Sequence, residues 1–267
     1  MVHQIRRAYH IRSVGHTGTL DPFATGLLVM LLGRATRLAR FVEGDRKTYL
    51  AVVRLGVQTT TDDRTGELVA TTPGADRLPI ERVDAALTAH LGAQHQRPPE
   101  FSAKLVDGVR SYALARRGQA VALAEVSVTV HAIERVAYAA PDLTFRVTVS
   151  AGTYIRALAR DIGEQLGVGG HLTALRRESI GGLRVDGAID GRALDGTAPL
   201  LPPLAVLGGM RRQIIDDAAR VDVAHGRRLA DAAGLAGPVA LVFEERLVAV
   251  ATAADGWLHP AVVLEAA

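Results

Sequence analysis

Hydrophobic and polar positions recur along this chain with two periods, and the switches between them mark its elements. VHQIRRAYHIR opens as a short basic helix, and the glycine-punctuated SVGHTGTLDPFATG follows it. The apolar run LLVMLLG then reads as a buried strand. RATRLARFVEG returns to helical spacing, with Arg34, Arg37 and Arg40 at every third position and Leu38, Phe41 and Val42 opposite. TYLAVVRLGV alternates as a strand, and TTTDDRTGELVAT has hairpin chemistry with the glycine of RTG at its tip. Pro79 begins a predicted helix, PIERVDAALTAHLG, whose Val83, Leu87 and Leu91 share one face. EVSVTVHAIERVAY and LTFRVTVSAG are strands. TYIRALARDIGEQLG is an amphipathic helix with Ile155, Leu158, Ala159, Ile162 and Leu166 on one stripe, and HLTALRRESIGGLRV is a strand pair.

Strands and helices mix without a regular βαβ rhythm. The expected fold class is therefore α+β, with a mixed, mostly antiparallel sheet and flanking helices. One stretch, QRPPEFSAKLVDGVRSYALARRGQAV, is too irregular for a core element and too basic for a plain linker. The proline-rich APLLPPLAVLGG predicts a boundary near residue 208. Beyond it, short strands such as ALVFEERLVAVAT make a small β module over 209–267.

Composition narrows the classes. With 267 residues, 48% hydrophobic and 22% charged, the chain can bury a sizeable core and is not intrinsically disordered. It has no cysteine, which removes disulfides, thiol nucleophiles and iron–sulfur clusters together. The longest apolar run is far short of a membrane span, and MVHQIRRAYHIR lacks the features of a secretory signal, so a cytoplasmic protein is expected. His90 and His95 have no carboxylate at ligand spacing, and no metal site is expected.

The net charge is only +3, yet the basic residues are unevenly placed. Residues 1–60 hold Arg6, Arg7, Arg12, Arg34, Arg37, Arg40, Arg46, Lys47 and Arg54 against Asp21, Glu43 and Asp45. One basic region on a nearly neutral protein is the footprint of a polyanion-binding face. A solvated charged surface would have the same composition.

The strongest local feature is Gly15-His16-Thr17-Gly18-Thr19-Leu20-Asp21-Pro22. Its glycines permit close backbone approach to a ligand, and Pro22 pushes Asp21 toward an extended conformation. A carboxylate held so before a buried strand would project rather than pack. An ordinary Asp-Pro turn is the alternative reading of the same residues.

That segment resembles the GHxGTLDPxATG signature of the TruB family of tRNA pseudouridine synthases, here N-terminally shortened. Arg46-Lys47-Thr48-Tyr49 resembles the family's second motif, K-x-Y, and TTTDDRTG its T-D-T-x-D-x-x-G hairpin. RPPEFSAKLVDGVRSYALAR resembles its basic insertion, and SAGTYIRALARDIGEQLG followed by LTALRRESIGG its fifth motif. Five ordered motifs over residues 15–181 are far more specific than any one of them.

The resemblance implies a pseudouridine-synthase type of sheet and a set of roles. Asp21 takes the place of the catalytic aspartate. Tyr49 matches the tyrosine that stacks on the target base where a proton must be removed. Tyr154 and Arg156 match the pair lining the pocket, with the arginine on the aspartate's carboxylate. His16 matches the histidine wedged into the RNA, and Leu175 an apolar wall. The insertion, over about 96–124 and with Arg97, Lys104, Arg110, Arg116 and Arg117, reads as a mobile flap closing on an RNA stem-loop. With Arg34 and Arg37, its Lys104, Arg110, Arg116 and Arg117 are candidates for the RNA backbone. The tail, 209–267, resembles a PUA-like RNA-binding module.

The implied reaction turns uridine-55 in the T loop of tRNA into pseudouridine after base flipping. It involves no redox change and no group donor, so no cofactor is expected. The T stem-loop of tRNA is the expected partner, with no obligate protein partner and a monomeric chain. A non-catalytic tRNA chaperone on the same scaffold, and a synthase acting on ribosomal RNA, are the competing readings. Two departures from the family pattern are visible. Phe101 stands where tyrosine is common, and the K-P-x-G-x-T-S strand that usually opens the family lies upstream of where this sequence starts. The expectation is an uncovered sheet edge and lower stability than in an extended chain.

Overall fold

The computed structural model describes residues 1–42, 44, 46–102, 104–106, 108–115, 117 and 123–265. They form two compact units, one of Leu20–Leu27 with Arg46–Ser179, the other of Met1–Thr19, Leu28–Asp45 and Ile180–Ala267. Among the described residues no helix is long and apolar enough to cross a membrane.

The first unit is built on a sheet in the order Gly170–Ile180, Lys47–Leu55, Asp142–Val149, Val126–Ala139 and Gly92–Gln96. Its central ladder is antiparallel, running from Lys47 opposite Val149 to Arg54 opposite Asp142. Alternation decides which residues face the core: Tyr49, Ala51, Val53 and Leu55 point inward from one strand, and Leu143, Phe145, Val147 and Val149 from the next. The helix Ile155–Gln165 buries its whole predicted stripe, with Ile155, Leu158, Ala159, Ile162 and Leu166 all 5% exposed or less. That helix docks closely because Gly163 meets the Gly169–Gly170 backbone, where any Cβ would collide.

The helix Ile80–Ala89 starts one residue later than its sequence suggests, with Pro79 as its cap. Val83 and Leu87 are buried as the pattern requires, but the helix stops at Ala89 and leaves Leu91 54% exposed. Its stripe is therefore one residue shorter than predicted.

In the second unit, Val14–His16 pairs antiparallel with Met30–Leu32. The apolar run before Gly33 is not uniformly buried strand; in this unit Val29 and Leu31 are buried and the residues beside them less so. Gly33–Leu38 is a 3₁₀ helix continued by the helix Ala39–Val42, with Leu38 and Val42 fully buried. The C-terminal sheet runs Arg211–Ile214, Gly237–Phe243, Arg246–Ala254, Trp257–Val263 and Leu229–Ala230. Val239, Leu241, Val248, Ala249, Ala251 and Leu258 make a core of their own there. The helix Asp217–Ala224 packs onto it through Val223, and the side chain of Asp216 caps it by accepting from the Ala219 amide at 2.8 Å. Sequence reading had no helix in this tail. The fold is thus α+β, with a mostly antiparallel sheet and a C-terminal β module.

Candidate active site

Asp21 lies in a turn closed by the Ala24 amide donating to its carbonyl at 2.9 Å. Just after it, Thr25–Gly26 pairs in parallel with Arg176–Arg177. Gly26 has φ 98°, and a Cβ there would strike the Arg177 carbonyl, so this approach of two backbones needs glycine. The Asp21 carboxylate is left about one-third exposed and is held by a buried side chain.

That side chain is Arg156, in the first turn of the Ile155–Gln165 helix and only 7% exposed. Its Nε donates to Asp21 Oδ2 at 3.1 Å and its Nη2 to Oδ1 at 3.0 Å, the bidentate fork that fits a carboxylate. The same guanidinium donates through Nη1 to the Thr61 carbonyl at 3.1 Å and through Nη2 to the Phe101 carbonyl at 2.9 Å. Asp63 Oδ2 lies 3.6 Å from Nη1. Asp63 is itself buried and fixed by the Thr61 hydroxyl at 2.8 Å, the Thr65 amide at 2.9 Å and the Thr65 hydroxyl at 2.6 Å. One buried guanidinium therefore joins four of the five sequence motifs.

A second arginine repeats the arrangement one helical turn later. Arg160 Nη1 donates to Asp62 Oδ2 at 3.0 Å, and its Nη2 donates to the Arg97 carbonyl at 2.9 Å. Asp62 has φ 57°, unusual for a residue with a side chain, and burial pushes its carboxyl above the ordinary range against the pull of Arg160 and Arg156. The hairpin between Val57–Thr59 and Leu68–Thr71 and the first residues of the insertion are thus tied to the same helix face.

Tyr49, on the strand Lys47–Leu55, is 8% exposed. Burial raises its phenol above the usual value, Arg177 opposes this through charge and a hydrogen bond, and the Asp21 carboxylate adds to the rise. Tyr154 caps the helix that carries Arg156; its amide donates to Gln96 Oε1 at 2.8 Å and its carbonyl accepts from Gln96 Nε2 at 3.0 Å. Leu175 is buried in the same core cluster as Tyr49.

The other predicted residues are placed differently. His16, in the second unit, is exposed, and its Nδ1 accepts from the Gly18 amide at 3.3 Å. Arg34 and Arg37 have partners within the protein: they donate to the carbonyls of Leu264 at 2.9 Å and Val263 at 3.0 Å. Lys104 is half-buried, with its carbonyl accepting from Ser111 at 2.7 Å, and Arg117 is exposed. Arg116 and the side chain of Arg110 lie outside the described residues.

Sequence reading missed Asp63, Arg160, Gln96 and Arg177. Asp63, Arg160 and Arg177 lie inside the motifs, but spacing and residue type alone assign them no role. Gln96 carried no signal, since a glutamine ending an irregular strand reads as surface.

Comparison with known proteins fits this geometry. The TruB family pseudouridylate synthase (N terminal domain) profile matches residues 6–155. The tRNA pseudouridine synthase B of Thermobifida fusca (strain YX) is 44% identical over 275 residues, covering 98% of this chain and 92% of that protein. The protein of the same name from Leifsonia xyli subsp. xyli is 42% identical over 245 residues, covering 89% of this chain and 81% of its own length. In fold, the chain is similar to one in the archaeal box H/ACA sRNP Nop10–Cbf5 complex, at TM-score 0.72 and 24% identity, over 99% of this chain and 81% of that one. A Cbf5–Nop10–Gar1 complex gives TM-score 0.71 at 26% identity, over 99% and 79%. A carboxylate gripped by a buried arginine, on this fold and with relatives this similar over nearly the whole length, leads to one statement of kinship: the chain belongs to the TruB family of pseudouridylate synthases.

Proposed function

We propose that this chain converts uridine-55 in the T loop of tRNA to pseudouridine, with Asp21 as its catalytic carboxylate. The observation that carries the reading is the bidentate Arg156–Asp21 pair. A carboxylate held in a guanidinium fork is available as a nucleophile or base. Arg156 aims it, and Asp63 and the Thr61 carbonyl aim Arg156.

The isomerisation breaks the N1–C1′ bond, turns the base, and joins C5 to C1′; C5 gives up a proton and N1 gains one. The target nucleotide must leave its stack to reach Asp21, at a cost of a few kcal/mol. Tyr49 stacks on the freed base and keeps it while it turns, Tyr154 and Leu175 wall the pocket, and His16 fills the space left in the RNA. No cofactor takes part. Lys104, Arg110, Arg116 and Arg117 of the insertion, with the free donors of Arg34 and Arg37, contact phosphates.

We also assign 1–208 to the catalytic domain, with the insertion at about 96–124, and 209–267 to a PUA-like RNA-binding module, a reading supported by the separate core of the C-terminal sheet. The chain acts as a cytoplasmic monomer. The deciding experiment is incubation with unmodified tRNA followed by carbodiimide mapping. A stop at position 55 of the tRNA is the expected result; unchanged tRNA, or modification of ribosomal RNA instead, overturns the reading.

A further inference from the structure

The strand Gly92–Gln96 lies at one edge of the first unit's sheet and ends on a buried amide, Gln96, at 2% exposure. Its backbone is in register with Val126 of the neighbouring strand, and the chain passes from there into the insertion. An apolar side chain is what such a buried position ordinarily takes, because a buried amide is costly unless its donor and acceptor are used.

Those of Gln96 are both used on the main chain of one residue, 58 positions away. Oε1 accepts from the Tyr154 amide at 2.8 Å, and Nε2 donates to the Tyr154 carbonyl at 3.0 Å. Turning the side-chain amide over would set donor against donor and acceptor against acceptor, which fixes its orientation. Tyr154 is the cap residue of the helix Ile155–Gln165; its own side chain makes no capping bond, and the first turn holds no acidic residue. Ala157 stands where a capping box has the Glu or Gln that reaches back to the cap amide. Gln96 supplies that bond from a distant strand. The segment that follows it is tied to the same helix: the Arg97 carbonyl accepts from Arg160 at 2.9 Å, and the Phe101 carbonyl accepts at 2.9 Å from the Arg156 Nη2 that also serves Asp21.

We propose that Gln96 is a positioning residue for the isomerisation, fixing the start of this helix so that Arg156 aims Asp21. This rests on the assignment of Asp21 to the reaction. Arg156 is the second residue of the helix, so any rotation of the helix start carries its guanidinium with it. A fork that must meet both carboxylate oxygens tolerates little of that rotation, and a misplacement of about 1 Å is enough to cost rate. The carbonyl of Tyr154 keeps its bond from the Leu158 amide whatever stands at 96, so the helix itself survives loss of the Gln96 side chain. What the side chain adds is the angle at which the helix begins.

The test is a double-variant cycle on unmodified tRNA, with Gln96→Met made in the parent chain and in Arg156→Lys. Methionine keeps the length of the side chain and removes both bonds to Tyr154. Gln96→Met is expected to lower kcat about tenfold or more while KM stays within about threefold. In the Arg156→Lys background, where the fork is already lost, the further loss from Gln96→Met shrinks to about twofold, because the residue acts through the guanidinium. Equal fold losses in both backgrounds, or an effect on KM alone, overturns the proposal, since a residue that merely holds the fold acts alike in both. An inactive parent chain overturns the assignment of Asp21 and this proposal together; an active parent matched in kcat by Gln96→Met overturns this proposal alone. Should Gln96→Met not melt cooperatively, Gln96→Glu decides. It has the shape of glutamine and keeps the acceptor for the Tyr154 amide, but as a carboxylate it has no donor for the carbonyl. A kcat reduced about three- to tenfold at unchanged KM is expected of it, and the parent's kcat overturns the proposal.

Discussion

Two groups of arginines in this molecule look alike in composition and behave in opposite ways. Arg34, Arg37 and Arg40 recur at every third position of an exposed helical segment, the pattern of a phosphate-binding stripe. Each nevertheless donates to a main-chain carbonyl at the C-terminal end, those of Leu264, Val263 and Ala261. Arg156 reads from its spacing as a first-turn helix residue, yet it is buried and spends its donors on Asp21, Thr61 and Phe101. Periodicity reports which side of a helix a residue occupies. What the guanidinium does there depends on how many fixed acceptors surround it and how much water is excluded.

The largest effect that would break this contrast belongs to the carboxylate. Asp21→Asn keeps shape and loses charge, and turnover should fall by about 10⁴-fold or more while tRNA affinity stays within about tenfold. Comparable turnover by the variant removes Asp21 from the chemistry. Arg156→Lys keeps a cation but loses the fork, and kcat should drop on the order of 10²-fold through misaimed carboxylate. Arg156→Ala goes further, because it strands Asp63 in the interior without its cation; a stability loss of about 3–5 kcal/mol in urea unfolding is expected. A melt unchanged by Arg156→Ala would show that the hairpin does not depend on it.

Next in size is the glycine that lets the Asp21 segment meet its neighbouring strand. Gly26→Ala puts a methyl against the Arg177 backbone at φ 98°. A loss of about 2–4 kcal/mol is expected, with kcat reduced more than KM is raised. Wild-type stability in that variant would mean that the two backbones can part at no cost.

Much of this fold was legible because one face of each element is buried. Tyr49 to Leu55, Leu143 to Val149 and the stripe from Ile155 to Leu166 follow their periods, and the structure buries them accordingly. The helix Asp217–Ala224 was not legible, since Val223 is the residue it buries and short alanine-containing segments satisfy several conformations. Arg177 was hidden for a different reason. Alternation assigns a position to the core without saying whether an arginine there has acceptors waiting. Arg160, Asp62 and Asp63 act through carbonyls and carboxylates brought from segments distant in sequence, and no local pattern announces such a convergence.

The smallest effect is the one that separates the two arginine groups most sharply. If Arg34 and Arg37 serve phosphates with their remaining donors, replacing both with alanine should lower the slope of log affinity against log salt by about two. If their carbonyl bonds to Val263 and Leu264 are their whole role, the slope should hold and stability should fall by no more than about 1 kcal/mol, as exposed hydrogen bonds allow. Arg110, Arg116 and Arg117 changed together to alanine provide the reference, because the insertion is proposed to meet the RNA backbone and its loss should flatten the slope by about three. Filter binding of tRNA between low and moderate salt, run beside thermal melts, measures both quantities on the same variants. The expected result is an intermediate one, a slope change smaller than the insertion's accompanied by a small drop in melting temperature. Binding that is insensitive to Arg34 and Arg37 while the melt falls would assign this stripe to the C-terminal strand alone.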